Sequence, residues 1–277
     1  MNLNDVYCGD CLEVMRGFPS DSVDLIMTSP PYADARKHTY GGVPPDQYVE
    51  WFLPRAEEMK RVLKPSGSFV LNIKEGIYNG QRHAYVFDLV LSMRAGGWLW
   101  IDEFVWHKSS PFPGNFGIRL KDGWERLFHF ACDNDIKFRR ESVQVPARYK
   151  NGRPNGKLVP GDRVSRSSSH GSGFGKRADM MENRGMVYPS NVLYGASLCE
   201  EEATGHSAQF PLWIPTFFVK LFTDAGDIVL DPFCGSGTTM AAAQSLGRQW
   251  IGIDKDQSSV DLSRDRLNKT QPALIPA

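Results

Sequence analysis

Nine consecutive residues, Asp231-Pro232-Phe233-Cys234-Gly235-Ser236-Gly237-Thr238-Thr239, have the types and spacing to hold a nucleotide-like ligand. Gly235 and Gly237 permit positive φ and let a ligand approach the backbone closely. Thr238 and Thr239 are placed to cap a following helix, whose free N–H groups suit a carboxylate or phosphate. An apolar run about a dozen residues further on ends in Asp254, where a nucleotide-binding α/β protein holds ribose hydroxyls. Gly-x-Gly alone is a weak signal; the whole string with an acid behind it is specific. The second set is Thr28-Ser29-Pro30-Pro31-Tyr32, which has no strong nucleophile and no acid–base pair. The Ser29 hydroxyl, the Pro30 carbonyl and the face of Tyr32 suit a neutral amino group on a flat ring. Two acceptors on one amine favour the tetrahedral nitrogen whose lone pair attacks an electrophile, so catalysis there is positioning plus electrostatics. An isolated Pro-Pro-Tyr is more often a buried turn. Its place after an apolar strand, in a chain with a second ligand-like set, favours the site.

Both sets must stand at strand ends, beyond which open α/β sheets bind ligands. Apolar runs predict seven strands, over 6–8, 23–27, 68–73, 98–108, 125–131, 228–230 and 250–254. Helical stretches are predicted over 11–16, 46–63, 84–95, 215–223 and 240–246. Prolines 30 and 31 stop the second strand because they cannot continue a ladder. Alternation of the two element types makes an α/β sheet, and the 98–108 and 125–131 strands are close enough to form an antiparallel edge.

With 277 residues, 41% of them hydrophobic, the chain can bury a sizeable core. No run approaches the roughly 18 apolar residues of a membrane span, and the start lacks the regions of a signal peptide. No membrane partner and a cytoplasmic location are therefore expected. Five scattered cysteines argue against a disulfide framework. Cys8-Gly9-Asp10-Cys11 lacks a second pair, so no metal is expected. Formal net charge is zero, but residues 137–188 hold 12 Lys or Arg against 4 Asp or Glu, a local +8. A solvated insertion is the plain reading of that segment. The functional one is a polyanion-binding module that releases counterions from phosphates, with Asn151, Arg153, Asn155, Asn183 and Arg184 able to read base edges.

Thr28-Ser29-Pro30-Pro31-Tyr32 together with Asp231-Pro232-Phe233-Cys234-Gly235-Ser236-Gly237 resembles the amino-DNA methyltransferases that use S-adenosylmethionine. The catalytic motif precedes the cofactor motif, which resembles the β-type order, and the resemblance covers nearly the whole chain. It implies a mostly parallel, seven-stranded Rossmann-like methyltransferase sheet with an antiparallel edge and a circularly permuted motif order. The domain would be split into residues 1–132 and 191–277 around a target-recognition insertion at 133–190. By the same resemblance, Asp231, Pro232, Phe233, Gly235, Ser236, Gly237, Thr238 and Thr239 cradle the cofactor, with Thr28 beside them. Asp254 holds the ribose and Asp10 lies near the adenine, while His206 and Phe210 belong to a segment that closes over the cofactor. Ser29, Pro30, Pro31 and Tyr32 hold the flipped base, and Arg153, Arg163, Arg166, Lys176, Arg177 and Arg184 face double-stranded DNA.

Ser29 and the 206–211 segment resemble the cytosine-N4 members more than the adenine-N6 members, which stay the alternative. A non-catalytic DNA-binding protein is a further alternative. Cytosine-C5 chemistry is rejected, since it needs a cysteine thiolate and no cysteine follows a proline here. A nicotinamide fingerprint is missing at position 240, which is Met. A cognate restriction endonuclease acting on the same site is a compatible partner, and a monomer or weak homodimer is expected.

Overall fold

The run Val23-Asp24-Leu25-Ile26-Met27-Thr28 is buried at every position, as a parallel strand covered on both faces must be. Around it the computed structural model describes residues 1–33, 42–109, 117–146, 186–195 and 210–270. The sheet strands are β1 (Asp5–Cys8), β2 (Val23–Thr28), β3 (Leu63–Ile73), β4 (Leu99–Lys108), β5 (Trp124–Ala131), β6 (Val192–Gly195), β7 (Ile228–Asp231) and β8 (Gln249–Asp254). Their order across the sheet is β1-β8-β7-β2-β3-β5-β4-β6. Every neighbouring pair is parallel except those made by β5, which runs against both β3 and β4. All seven expected strands are present. The eighth, β6, pairs parallel with β4 and covers a row of backbone groups that would otherwise form an open edge. The reversed strand therefore lies inside the sheet, two places in from the edge.

Among the described residues six helices pack on the faces: α1 (Cys11–Arg16), α2 (Tyr48–Val62), α3 (Tyr85–Ala95), α4 (Trp213–Phe222), α5 (Thr238–Ser245) and α6 (Gln257–Lys269). Helix α1 packs on α2 and α2 on α3, while α4 packs on α5 and α5 on α6. Asp10 caps α1 by accepting from Leu12 N, and Asp256 caps α6 by accepting from Ser259 N. In α2 the buried residues Tyr48, Phe52, Ala56, Met59 and Val62 recur at three- and four-residue intervals. Ile26 joins them in the core under α1, α2 and α3. Leu25 and Met27, equally buried, alternate to the other face. Helix α4 starts at Trp213, ahead of the predicted 215, because Pro215 is tolerated in a first turn where its missing N–H has no partner to lose.

Residues Met1–Arg139 and Asn191–Ala277 form one compact unit and Arg140–Ser190 another. Among its described residues the second holds a short antiparallel ribbon, Val145–Pro146 against Met186–Val187, with Arg140 lying 4.8 Å over the Tyr188 ring. Lys137 and Arg139, counted above in the basic stretch, belong to the first unit. There Lys137 pairs with Asp24 and Asp227, and Arg139 with Asp224. Those two cations are already neutralised within the fold. Among the described residues no helix is long and apolar enough to cross a membrane.

Candidate active site

Strands β1, β8, β7 and β2 are consecutive parallel neighbours, so their carboxyl ends share one side of the sheet. Cys8 stands opposite Asp254, Asp231 opposite Gly252, and Leu230 opposite Ile26. Asp10, Asp254, the glycine turn and Ser29 thus converge. At about 4.8 Å per strand, the tips of β8 and β2 stand roughly 10 Å apart.

The turn is fastened from below by Asp231, which is 2% exposed. Its Oδ1 accepts from the Thr28 hydroxyl at 2.6 Å and from Phe233 N at 3.1 Å, and its Oδ2 from the Thr239 hydroxyl at 2.7 Å. Burial pushes the Asp231 carboxyl up to about 6, against the pull of those three hydrogen bonds. Thr238 and Thr239 do not cap α5, contrary to expectation. Gly237 is the cap residue, left-handed at φ 80°, with no side-chain bond. The threonine hydroxyls are committed elsewhere, Thr239 to Asp231 and Thr238 as acceptor from Arg266 at 2.9 Å. A Cβ on Gly237 would lie 3.3 Å from the Ser263 backbone, so glycine is required there by conformation and by space. Pro232, Ser236, Thr238 and Thr239 are buried, as is Thr28; Phe233 and Gly235 are the half-exposed members of the turn. Gly235 N donates to Asp254 Oδ2 at 2.9 Å, and Asp256 N to its Oδ1 at 2.9 Å. The carboxylate at the tip of β8 is therefore held rigidly.

Asp10 spends one oxygen on the α1 cap and the other on Arg55 Nη2 at 2.6 Å. Arg55 lies 4.4 Å over the Trp51 ring, and Trp51 meets Phe233 at 5.8 Å. A wall thus runs from β1 to the glycine turn by way of α2. Arg55 lies within the predicted 46–63 helix, but no motif marks it. Phe210 is half-buried ahead of α4. His206 and Arg153, Arg163, Arg166, Lys176, Arg177 and Arg184 lie outside the described residues.

At the corner, Pro30 is buried while Ser29, Pro31 and Tyr32 are half-buried. Tyr48 donates to the Pro31 carbonyl at 2.8 Å and Tyr78 to the Ala33 carbonyl at 2.5 Å. Two tyrosine hydroxyls so hold the backbone on the far side of the motif. Among the described residues no group donates to the Pro30 carbonyl. The Tyr32 hydroxyl donates to Glu125 Oε2 at 3.0 Å, with Asn72 Oδ1 at 3.4 Å as a second acceptor. Glu125 pairs in turn with Lys108 at 2.5 Å, and that ammonium lies 4.6 Å over the Trp106 ring. Burial, and then Glu125, push the Tyr32 phenol well above its ordinary value. On the same two strands, His107 meets Tyr194 at 5.1 Å and Trp124 lies under Arg126 at 4.4 Å. Burial pushes the Cys11 thiol up to about 12 and that of Cys234 well above its usual range. Neither is a thiolate nucleophile at neutral pH.

An open sheet that carries a glycine cradle on one strand and a Ser-Pro-Pro-Tyr corner on its neighbour has the layout of an amino-methyltransferase. A DNA methylase model of the N6/N4 type matches residues 23–265, and the chain belongs to that family. It is 30% identical to the type II methyltransferase M.PvuII of Proteus hauseri, over 95% of this chain and 83% of that one. The solved PvuII DNA methyltransferase, described as cytosine-N4-specific, superimposes with a TM-score of 0.72 at 27% identity, covering 96% of this chain and 90% of that one. A Thermus thermophilus protein solved with S-adenosyl-L-methionine shares the fold, with a TM-score of 0.65 at 22% identity over 97% and 94% of the two chains.

The raised carboxyl of Asp231 has a consequence for stability. A carboxyl whose pKa rises on folding binds its proton more tightly in the folded state. It favours folding at low pH and loses that contribution as pH climbs through its folded value. Relative to Asp231→Asn, the wild type is expected to lose up to about 3 kcal/mol between pH 4 and pH 7. Urea midpoints of both proteins at four pH values measure this. A difference that stays constant across the range rules it out.

Proposed function

We propose that the chain transfers a methyl group from S-adenosylmethionine to the exocyclic N4 amine of a cytosine flipped out of double-stranded DNA. The observation that carries this reading is the corner itself. Among the described residues the Pro30 carbonyl has no donor, while the Pro31 and Ala33 carbonyls are taken by tyrosines. An amine seated there meets Ser29 Oγ and Pro30 O as acceptors for its two hydrogens. An exocyclic amine inside a duplex is engaged in pairing, so the base must leave the stack to reach them. Likeness to a protein described as cytosine-N4-specific, and Ser29, which resembles the cytosine-N4 members, favour cytosine over adenine.

The donor set suits the cofactor. Asp254 at the tip of β8 has the place and chemistry for ribose hydroxyls. Trp51 and Phe233 offer aromatic surface, and Gly235 offers backbone unobstructed by a side chain. Arg55 Nε is buried with no partner among the described residues, so a polar ligand group is wanted on that wall. When bound, S-adenosylmethionine supplies a methyl group on a positively charged sulfur. The residues themselves then hold the amine in line, fix its lone pair and exclude water. Asp231, Thr28 and Thr239, being buried, act by keeping the turn and the corner in register rather than by touching the ligand.

Incubation with unmethylated genomic DNA and S-adenosylmethionine, followed by nucleoside mass spectrometry, is expected to yield N4-methylcytosine. N6-methyladenine would overturn the base assignment, and no methylated nucleoside would overturn the reaction. Ser29→Ala is expected to slow single-turnover methyl transfer on the order of 10- to 100-fold, with cofactor affinity by calorimetry unchanged.

We also infer that residues 133–190 recognise the target, with Arg153, Arg163, Arg166, Lys176, Arg177 and Arg184 on the DNA. The chain then acts in the cytoplasm as a monomer or weak homodimer, alongside an endonuclease that cuts the same unmethylated site. Replacing Lys176 and Arg177 with alanine is expected to weaken DNA binding and flatten the plot of log affinity against log salt by about 2 units. An unchanged slope in a fluorescence-anisotropy titration would remove both from the phosphate contacts.

A further inference from the structure

Around the corner, four cations of the carboxyl rim are each taken by an acid. Lys74 and Arg82 share Asp122, Lys108 takes Glu125, and Arg126 takes Glu75 and Glu103. The neighbouring segment Gly117-Ile118-Arg119-Leu120-Lys121 differs in two ways. Arg119 and Lys121 have no ion pair among the described residues. Ile118 is 99% exposed and Leu120 91%. Single exposed apolar residues need no explanation, but this pair stands apart. The next most exposed aliphatic side chain among the described residues, Leu91, is at 57%. Exposed aliphatics alternating with unpaired cations suit a partner that is anionic outside and apolar within. A DNA duplex, with phosphates around stacked bases, is such a partner.

The segment joins β4 to β5 on the side of the sheet where the corner stands, because β5 runs against both of its neighbours. Asp122 anchors it, taking Lys74 at 2.9 Å and Arg82 at 2.5 Å, and the Gly123 carbonyl accepts from Lys108 N at 2.8 Å. Three positions beyond that anchor, Glu125 holds the Tyr32 hydroxyl. A chain spans at most about 3.6 Å per residue, so Leu120 lies within roughly 7 Å of Asp122 and Ile118 within roughly 14 Å. The two aliphatics thus stand in water on the rim that carries Ser29 to Tyr32.

We propose that Ile118 and Leu120 form a wedge that enters the base stack at the step the target base leaves, with Arg119 and Lys121 on the flanking phosphates. This rests on the methyl-transfer reading above. A base drawn out to Ser29 and Tyr32 leaves an apolar gap in the duplex, and its extraction costs stacking and pairing. Aliphatic side chains inserted between base steps offset part of that cost by covering the unstacked faces. The wedge acts on extrusion, before methyl transfer, and touches neither the amine nor the cofactor. It is also distinct from the basic 133–190 segment, to which target recognition was assigned.

Once sequencing of the methylated product has located the site, single-turnover methyl transfer is measured on two duplexes. One is fully matched; the other has a mismatch opposite the target base, where extrusion costs less. Ile118→Ser with Leu120→Ser is expected to slow transfer about 10-fold or more on the matched duplex, and less than about threefold on the mismatched one. Both side chains lie in water, so these changes spare the core, and affinity for S-adenosylmethionine by calorimetry should be unchanged. Arg119→Ala with Lys121→Ala should flatten the plot of log affinity against log salt by about 2 units on both duplexes.

The wedge is overturned if the serine variant stays within about threefold of wild type on the matched duplex, or if it loses the same factor on both. It is also overturned if analytical ultracentrifugation shows the serine changes converting a dimer to a monomer, since the pair then faces a second copy of the chain. An unchanged salt slope removes Arg119 and Lys121 from the phosphates and overturns that part. A wild type that methylates no base refutes the underlying reaction, and the wedge with it. A wild type that methylates while the serine variant keeps pace refutes the wedge alone.

Discussion

One buried carboxylate ties the two halves of the site together. Asp231 ends β7, and through its two oxygens it takes a hydroxyl from the end of β2 and another from the start of α5. The first of these contacts spans 203 positions of sequence. Thr28 immediately precedes the corner, and Thr239 follows the glycine turn. Any shift of β2 relative to β7 would break a hydrogen bond inside the fold and leave a carboxylate unsatisfied, which is far costlier than the bond's net worth. The distance between the cradle and the corner is thereby fixed by something other than a ligand. Reactions that depend on holding two groups in line need that kind of preorganisation.

The corner itself is neutral, and the charges behind it are cancelled pair by pair. Glu75, whose side chain is 5% exposed, sits between Arg82 and Arg126, and Asp122 sits between Lys74 and Arg82. His129 is kept uncharged by burial, which lowers it to about 3, and it meets Ser68 at 3.0 Å and the Phe222 ring. A neutral amine therefore meets neutral acceptors. Polar hydroxyls from Tyr48 and Tyr78 fix the motif's backbone where looser side chains would let it move.

Much of the sheet was legible because its signals are local. Six buried residues in a row followed by two prolines mark β2 and its end, and Ile228 to Asp231 before two glycines marks β7. The start of α5 was misjudged because threonines are good caps in isolation, whereas here Asp231 competes for Thr239 and Arg266 for Thr238. Strand β6 is not among the predicted strands, since its four residues carry little periodic signal. Arg55 and Asn72 carry no motif at all. Their importance comes from what α2 and β3 lie against, which depends on pairings between residues far apart in the chain.

Glu125 escaped the sequence reading for a topological reason. In a parallel sheet the residues near a ligand come from the carboxyl ends of strands, and the search for site residues follows that rule. Strand β5 runs the other way, with Arg126 opposite Ile73 and Glu125 opposite Trp106. Its first residues therefore stand level with the last residues of β3 and β4. One reversed strand in an otherwise parallel sheet brings an amino-terminal carboxylate to the carboxyl-terminal side. Its contact with Tyr32 bridges 93 positions. The same reversal sets the acid against the Tyr32 hydroxyl rather than against the amine position. A carboxylate touching the amine would compete with Pro30 for its hydrogens. Behind Tyr32, its charge acts on the site through a polarised hydroxyl and leaves the neutral geometry of the corner intact.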